Sequence, residues 1–166
     1  MTCEGDPAVA YNPTLNQHMA AWTYSPEKSD GTITSRINAQ RLDTGGALVG
    51  GRLEVGASAG YSGNPALVYL TMAHGFIIVW QYLYSASSNN IYQVLLSDFG
   101  GTLQPTSAIS ALSSNETFPA LASNGLNGVQ FVWEDMRNYS STGIDIYGIH
   151  QELPFEDKYL PVIFRW

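Results

Sequence analysis

Phe76-Ile77-Ile78-Val79-Trp80 is apolar at every position and is preceded by Gly75. A short run with no polar alternation marks a strand buried on both faces. "GVQFVWED", Gly128 to Asp135, repeats the theme. Laying one run on the other aligns what precedes them, "NPALVYLTMAHGFIIVW" (Asn64 to Trp80) with "FPALASNGLNGVQFVW" (Phe118 to Trp133), and a further copy emerges in "DPAVAYNPTLNQHMAAW" (Asp6 to Trp22). Proline leads tryptophan by 15, 15 and 14 residues in chain order. Beyond each tryptophan comes a polar stretch and then "INAQRLDTGG" from Ile37, "IYQVLLSDFGG" from Ile91 and "IYGIHQEL" from Ile146, steps of 54 and 55 residues. Three units therefore fill the chain: 6–63, 64–117 and 118–166, the last with a divergent C-terminal strand.

Each unit predicts four strands. Strand one follows the proline (Ala8 to Tyr11, Ala66 to Leu70, Ala120 to Ser123), and strand two ends at or just past the tryptophan. Strand three starts at the repeated isoleucine, and "DTGG" and "DFGG" supply glycine for positive φ before strand four at Ala47 to Val55 and Leu103 to Ile109. Neither helical periodicity nor caps are present, so no helix longer than about two turns is expected. A four-stranded antiparallel unit repeated at this period is the signature of a β-propeller blade. The fold class is thus all-β, three four-stranded antiparallel propeller blades, half of a propeller. Trp22, Trp80 and Trp133 hold one repeated position beside apolar runs and are expected as core between blades, not as a sugar-stacking platform.

The composition agrees with strands and tight turns: of 166 residues 45% are hydrophobic and only 13% charged, which argues against disorder. A net charge of −7 leaves no basic stripe for phosphates, so neither nucleic acid nor an anionic membrane is expected as a partner. No apolar run reaches the length of about 18 residues that spans a bilayer, and the first thirty residues lack the basic-then-apolar order of a signal peptide. A single cysteine, Cys3, cannot form an internal disulfide and is read as a terminal residue without a role.

The units resemble those of bacterial propeller-like repeat proteins, which carry Pro-x-Val-Ala-Tyr-Asn-Pro, a Val-Val-Trp run, and Asp-Ile-Tyr-Gly-Gln-Arg-Leu-Asp before a glycine turn. The matching segments are "PAVAYNP" at Pro7 to Pro13, "FIIVW" at Phe76 to Trp80, "FVWED" at Phe131 to Asp135, "INAQRLD" at Ile37 to Asp43 and "DIYG" at Asp145 to Gly148. The resemblance covers about nine-tenths of the chain. It implies a propeller-type fold and an extracellular or cell-envelope setting, and names no reaction. The third unit departs from the pattern after Gly148, where "IHQELPFEDKYLPVIFRW" has no glycine turn and its fourth strand is altered or absent.

Propellers close with about four to eight blades, and an open arc exposes sheet faces at both ends. A homodimer through the terminal blades, two arcs of three closing a six-bladed ring, is the economical expectation, with Tyr159 to Trp166 as the junction strand. A longer chain, or the tail Leu160 to Trp166 folded back as a cap, are the alternatives.

Candidate chemistry is sparse. His18, His74 and His150 are scattered, the first two in equivalent turns, with no metal-ligand spacing. No serine stands in a Gly-x-Ser-x-Gly elbow. The positions just before each proline, at the channel ends of the innermost strands, hold Asp6, Asn64 and Phe118, one acid where paired carboxylates would be needed for hydrolysis. "SDGT" at Ser29 to Thr32 and "SDFGGT" at Ser97 to Thr102 faintly resemble a sialidase Asp-box and are read as turns. The densest polar cluster is "WEDMRN": Glu134, Asp135 and Arg137, with Asp145 ahead of strand three, read either as a ligand or calcium site or as a solvated loop in which Asp135 and Arg137 pair. No catalytic set, cofactor site or metal site is expected. Two functions remain open: a non-catalytic binding or interaction module for carbohydrate or protein, with the loop Tyr82 to Asn90 as a contact surface, and a propeller-fold glycan-processing hydrolase. Clustered carboxylates at one channel mouth favour the hydrolase; a channel lined by Ala, Val and Asn favours the binding module.

Overall fold

The computed structural model describes residues 2–26, 34–56, 60–85, 88–152 and 162–164. Its strands are β1 (Cys3–Asn12), β2 (Gln17–Ser25), β3 (Arg36–Leu42), β4 (Leu48–Glu54), β5 (Ser62–Leu70), β6 (Gly75–Ser85), β7 (Ser88–Ser97), β8 (Thr102–Ser110), β9 (Glu116–Ser123), β10 (Gly128–Asp135), β11 (Asp145–Glu152) and β12 (Val162–Phe164). They form three four-stranded antiparallel sheets, each a meander in chain order: β1 to β4, β5 to β8 and β9 to β12. Among the described residues helix is confined to the single turn α1 (Tyr139–Thr142).

The two-sided burial predicted for the apolar run is met, because β6 lies in the middle sheet. Phe76, Ile78 and Trp80 pack with Met19, Ala21, Ile37 and Ala39 of the first sheet. Ile77 and Val79, which alternation points the other way, pack with Val129, Phe131 and Trp133 of the third. Trp80 of β6 and Trp133 of β10 thus point to the preceding sheet, and the intervening residues of β2 and β6 point to the following one.

The constant proline-to-tryptophan spacing has a geometric cause. In every sheet the innermost strand carries a bulge in which a residue and its following proline, Asp6-Pro7, Asn64-Pro65 or Phe118-Pro119, together oppose one tryptophan, Trp22, Trp80 or Trp133. Proline has no N–H for the ladder, so a bulge is where it fits. The three residues ahead of the prolines share a left-handed backbone, φ 51° in each.

The two glycine turns adopt the positive φ expected of them, 84° at Gly46 and 87° at Gly100. In the first, the Asp43 carboxylate accepts the N–H groups of Gly45 (2.9 Å) and Ala47 (2.8 Å). The "SDFGGT" stretch is the β7–β8 turn, closed by Gly100 N–H donating to the Ser97 carbonyl at 2.9 Å. "SDGT" at Ser29 to Thr32 lies outside the described residues.

One alternative is resolved and two expectations change. The fourth strand of the third unit is present, reduced to Val162–Phe164 and paired antiparallel with β11 in its own chain; the rest of Tyr159 to Trp166 lies outside the described residues. Tyr82 to Asn90 is largely strand, because β6 runs to Ser85 and β7 begins at Ser88; residues 86 and 87 lie outside the described ones. Ser88 and Asn90 are buried, and Asn89 donates to Asn115 Oδ1 at 2.6 Å, so the start of β7 is spent on the seam with the third sheet. His18 stands at the start of β2, its ring 5.1 Å from that of Tyr11, while His74 occupies a turn.

Candidate functional site

Three places could carry function: the bulged ends of the innermost strands, the polar node around Asp135, and a groove at the opposite ends of the innermost strands.

At the bulges, one left-handed residue per sheet turns its side chain out of the ladder. Asp6 is exposed, Asn64 half-buried, and Phe118 60% exposed. The Asp6 carboxylate is already committed: Oδ2 accepts the Thr23 hydroxyl at 2.8 Å and the Asn64 N–H at 3.4 Å. One carboxylate, one amide and one phenyl ring supply no acid-and-base pair. The residue following each tryptophan braces the same level. Thr23 donates to Asp6, and Gln81 Oε1 accepts the Phe118 N–H of the next sheet at 3.2 Å.

The node assembles three of the four residues that the sequence singled out. Asp135 closes β10 on the face shared with Trp133 and is fully buried. Its Oδ2 accepts from Arg137 Nη2 at 2.5 Å and from Trp133 Nε1 at 3.2 Å, and its Oδ1 accepts the Arg137 backbone N–H at 2.8 Å. Burial alone would raise the Asp135 carboxyl, but the bonds from Arg137 and Trp133 and the Arg137 charge outweigh it and hold the group below its ordinary range. The Arg137 guanidinium lies 3.7 Å over the Tyr147 ring. Asn138 joins Asp145 to the node, donating through Nδ2 to Asp145 Oδ2 at 3.3 Å and to the Tyr147 hydroxyl at 2.9 Å. Thr142 of α1 donates to the same Asp145 oxygen at 2.9 Å. Glu134 stays apart, half-buried on the opposite face of β10.

Sequence reasoning missed Glu116, the most unusual member. It opens β9 fully buried, 3.9 Å from Arg137 and bonded by the Ser110 hydroxyl through Oε1. Burial pushes its carboxyl up to about 7, with the Asp135 charge adding to the rise. Its signal was faint: it stands two residues ahead of Phe118, where the second unit has Ser62 ahead of Asn64.

Chemically the node is an interior network in which Glu116 Oε2 is buried without a hydrogen-bond partner. A cavity of about 310 Å³ beside it is walled by Ser110, Trp133, Arg137 and Tyr147, yet neither Glu116 nor Asp135 shows surface to it. Every bond named above is made inside the chain. Among the described residues no group of three His, Cys, Asp or Glu side chains could hold a metal ion. The reading of this cluster as a solvated loop is corrected in one respect, since Asp135 pairs with Arg137 as that reading required but does so in the interior.

At the far ends of the innermost strands lies a groove of about 420 Å³, walled by Val9, Ala10, Tyr11 and Pro13 of the first sheet and its turn, Leu67 to Tyr69 and Thr71 of the second, and Ser123 and Gly125 of the third. Among the described residues that wall it there is no Asp, Glu, Lys or Arg. Val9 and Tyr11 are 63% and 47% exposed. The Tyr11 hydroxyl donates to Asn16 Oδ1 at 2.7 Å, which sets its ring edge, and the Tyr69 hydroxyl donates to Thr14 at 2.9 Å.

No protein-family model matches the chain, and no curated protein does. Solved structures do match along nearly its whole length. The hemagglutinin-neuraminidase ectodomain of parainfluenza virus 5 superposes with a TM-score of 0.62 at 8% identity, over 98% of this chain and 44% of that one. An α-L-arabinofuranosidase from Lactobacillus brevis gives 0.56 at 12%, over 96% and 52%. An endo-arabinase from Bacteroides thetaiotaomicron gives 0.55 at 12%, over 95% and 58%. At these identities the likeness shows the fold alone. The chain spans about half the length of the solved structures it matches, and its three sheets are the blades of a β-propeller architecture.

Proposed function

We propose that the chain is a non-catalytic β-propeller-type binding module whose ligand, carbohydrate or protein, is met on the channel side of the innermost strands. The observation that carries this reading is the chemistry of that side. Val9, Ala10, Tyr11 and Val68 wall a groove with no carboxylate or cationic side chain among the described residues, and the bulged mouth offers the single carboxylate Asp6, already bonded to Thr23 and Asn64. A volume of about 420 Å³ is within the usual range for small-ligand pockets, about 300 to 1,000 Å³. Tyr11 supplies an amphipathic ring of the kind that contacts sugars or peptide side chains.

The alternative, a glycan-processing hydrolase, has the likeness to arabinan-degrading and neuraminidase folds in its favour. The carboxylates that resemble an acid and base in character, Glu116 and Asp135, are both fully buried, and a group without surface cannot protonate a leaving oxygen.

The test is calorimetric titration with arabinan oligosaccharides, sialylated glycans and short aromatic peptides, with chromatography of the sugars after prolonged incubation. Binding without new products, lost in Tyr11→Ala, is expected. Product release that disappears in Asp6→Asn would overturn the reading in favour of the hydrolase.

A further inference from the structure

The two seams between neighbouring sheets hold cavities built on one plan. Between the second and third sheets it is the cavity of about 310 Å³ beside the polar node, with Ile109, Ser110, Trp133 and Tyr147 in its wall. Between the first and second it measures about 360 Å³, and the matching places hold Val55, Gly56, Trp80 and Tyr92. Strand pairing fixes the correspondence. Tyr92 stands opposite Trp80 as Tyr147 stands opposite Trp133, and Ser62 stands opposite Tyr82 as Glu116 stands opposite Asp135.

What fills the plan differs from sheet to sheet. In the third, the Arg137 guanidinium lies 3.7 Å over the Tyr147 ring, with Asp135 bonded to it and Glu116 3.9 Å away. In the first, Tyr24 holds the place of Tyr82, two residues beyond its tryptophan, and Arg36 and Arg52 lie over its ring at 4.9 and 5.2 Å. The second sheet has the rings without the cation: among the described residues no Arg or Lys lies over Tyr82 or Tyr92. The acids are exchanged too, for Tyr82 and Ser62, and none of the residues described in the wall is charged. Tyr82 and Tyr92 meet at 83° with centroids 5.3 Å apart, and Trp80 lies beside Tyr92 at 6.3 Å, so three rings form one corner of the cavity. Ser62 walls it as well, fully buried, its hydroxyl without a hydrogen-bond partner.

We propose that the cavity between the first and second sheets binds a quaternary ammonium group, held by Trp80, Tyr82 and Tyr92 where the other two sheets hold a guanidinium of their own. The kind of cation follows from what the wall lacks. A guanidinium or a primary ammonium brings several N–H donors, and in the third sheet Asp135 is there to accept them. In a wall without a carboxylate most of those donors would be buried unpaired, at a cost. A quaternary ammonium has no donor to satisfy, and its charge is carried under methyl groups that suit aromatic walls, which attract a cation placed within about 6 Å of the ring centroid. A chain of net charge −7 also favours the approach of a cation. The cavity shares no wall residue with the channel-side groove, so this is a second site and does not rest on the ligand proposed there. Two sources carry the group: small choline-like molecules, and a trimethylated lysine side chain of another protein.

Calorimetric titration of the whole chain tests this with choline, with the neutral alcohol in which carbon replaces its nitrogen, with butylammonium, and with a glycine-flanked trimethyllysine peptide. Choline or the peptide is expected to bind about tenfold or more tightly than the neutral isostere and the primary amine, and the tighter of the two identifies the source. Tyr92→Phe keeps the ring and should bind like the wild type. Tyr92→Leu, with its fold checked by circular dichroism, should weaken binding about tenfold or more, while Tyr11→Ala in the channel-side groove should leave it unchanged. Equal affinity for choline and its neutral isostere would reduce the site to an apolar cavity and overturn the proposal, a comparison made on the wild type that stands even if Tyr92→Leu does not fold. No binding of either quaternary compound at millimolar concentration, full binding by a folded Tyr92→Leu, or loss of binding in Tyr11→Ala would each overturn it too.

Discussion

The indole of Trp80 lies directly on Gly56: a Cβ added to that glycine would stand 2.9 Å from Cε2 of the ring. Gly56 follows Val55 at the end of the first sheet, and the two wall a cavity of about 360 Å³ with Trp80, Tyr82 and Tyr92. The seam between the first two sheets is therefore fitted to one glycine and one tryptophan. Gly56→Ala should cost roughly 1 to 3 kcal/mol, the range for adding a methylene to a packed core, read as a lower urea midpoint at unchanged slope. A variant as stable as the wild type would show that the indole shifts freely.

Trp80→Ala should cost more than Trp22→Ala. The two share a repeat position, but Trp80 is 2% exposed while Trp22 is half-exposed, and large-to-small changes at sealed aromatic sites cost roughly 3 to 5 kcal/mol. Equal midpoints would mean that Trp22 is packed as tightly as Trp80.

Arg137 should prove structural. Its guanidinium is the countercharge of Asp135, which has no solvent to turn to. Removing one partner of a buried pair costs roughly 3 to 5 kcal/mol, because the other is left charged and unpaired. Arg137→Met should show a loss of that size by denaturant unfolding, and Arg137→Met with Asp135→Asn, which removes the charge and keeps an acceptor oxygen for the remaining N–H donors, should regain part of it. Failure of the double variant to recover would mean that Arg137 acts through its stacking on Tyr147.

Much of this architecture was legible because it is written in periodicities that one residue cannot disguise. The 54-residue step located the sheets, and the unbroken run Phe76 to Trp80 located the middle one, since only a strand with a sheet on each side needs both faces apolar. The proline-to-tryptophan spacing was visible as a pattern, but its cause, a bulge of two residues against one, is a pairing property that spacing alone does not express. The node was half legible. Asp135, Arg137 and Asp145 advertise themselves as a charged cluster, whereas Glu116 arrives from a strand nineteen residues earlier and looks like an ordinary turn acid. Tyr82 to Asn90 misled because serines and asparagines read as loop, while Asn89 and Ser88 are used as bonds across the seam.

Chelation should leave the protein unchanged. Both oxygens of Asp135 and Oδ2 of Asp145, the acids nearest to a calcium-like cluster, accept from Arg137, Trp133, Asn138 and Thr142, and a metal would have to displace these donors. The melting temperature should be the same with and without EDTA. A fall of several degrees would place a cation among residues outside those bonds.

Glu116 should make stability depend on pH in the sense opposite to an ordinary salt-bridged acid. Burial raises its carboxyl from 4.5 to about 7 in the folded chain, while in the unfolded chain it titrates near its ordinary value. Between these two values the folded form holds a proton that the unfolded form has lost, so stability falls as pH rises through the window and the penalty is complete above about pH 7. Its size is on the order of 3 kcal/mol, the free energy of a shift of that extent. Asp135 does not confuse the window: its carboxyl is held below 3.8, so its stabilising share is lost only in stronger acid. Glu116→Gln keeps the shape and an acceptor for Ser110 but cannot ionise. The variant should therefore match the wild type at pH 4 and exceed it at pH 8, with the difference growing between pH 4.5 and 7. Parallel stability curves for the two proteins across that range would mean that Glu116 reaches solvent and ionises in the folded state without cost.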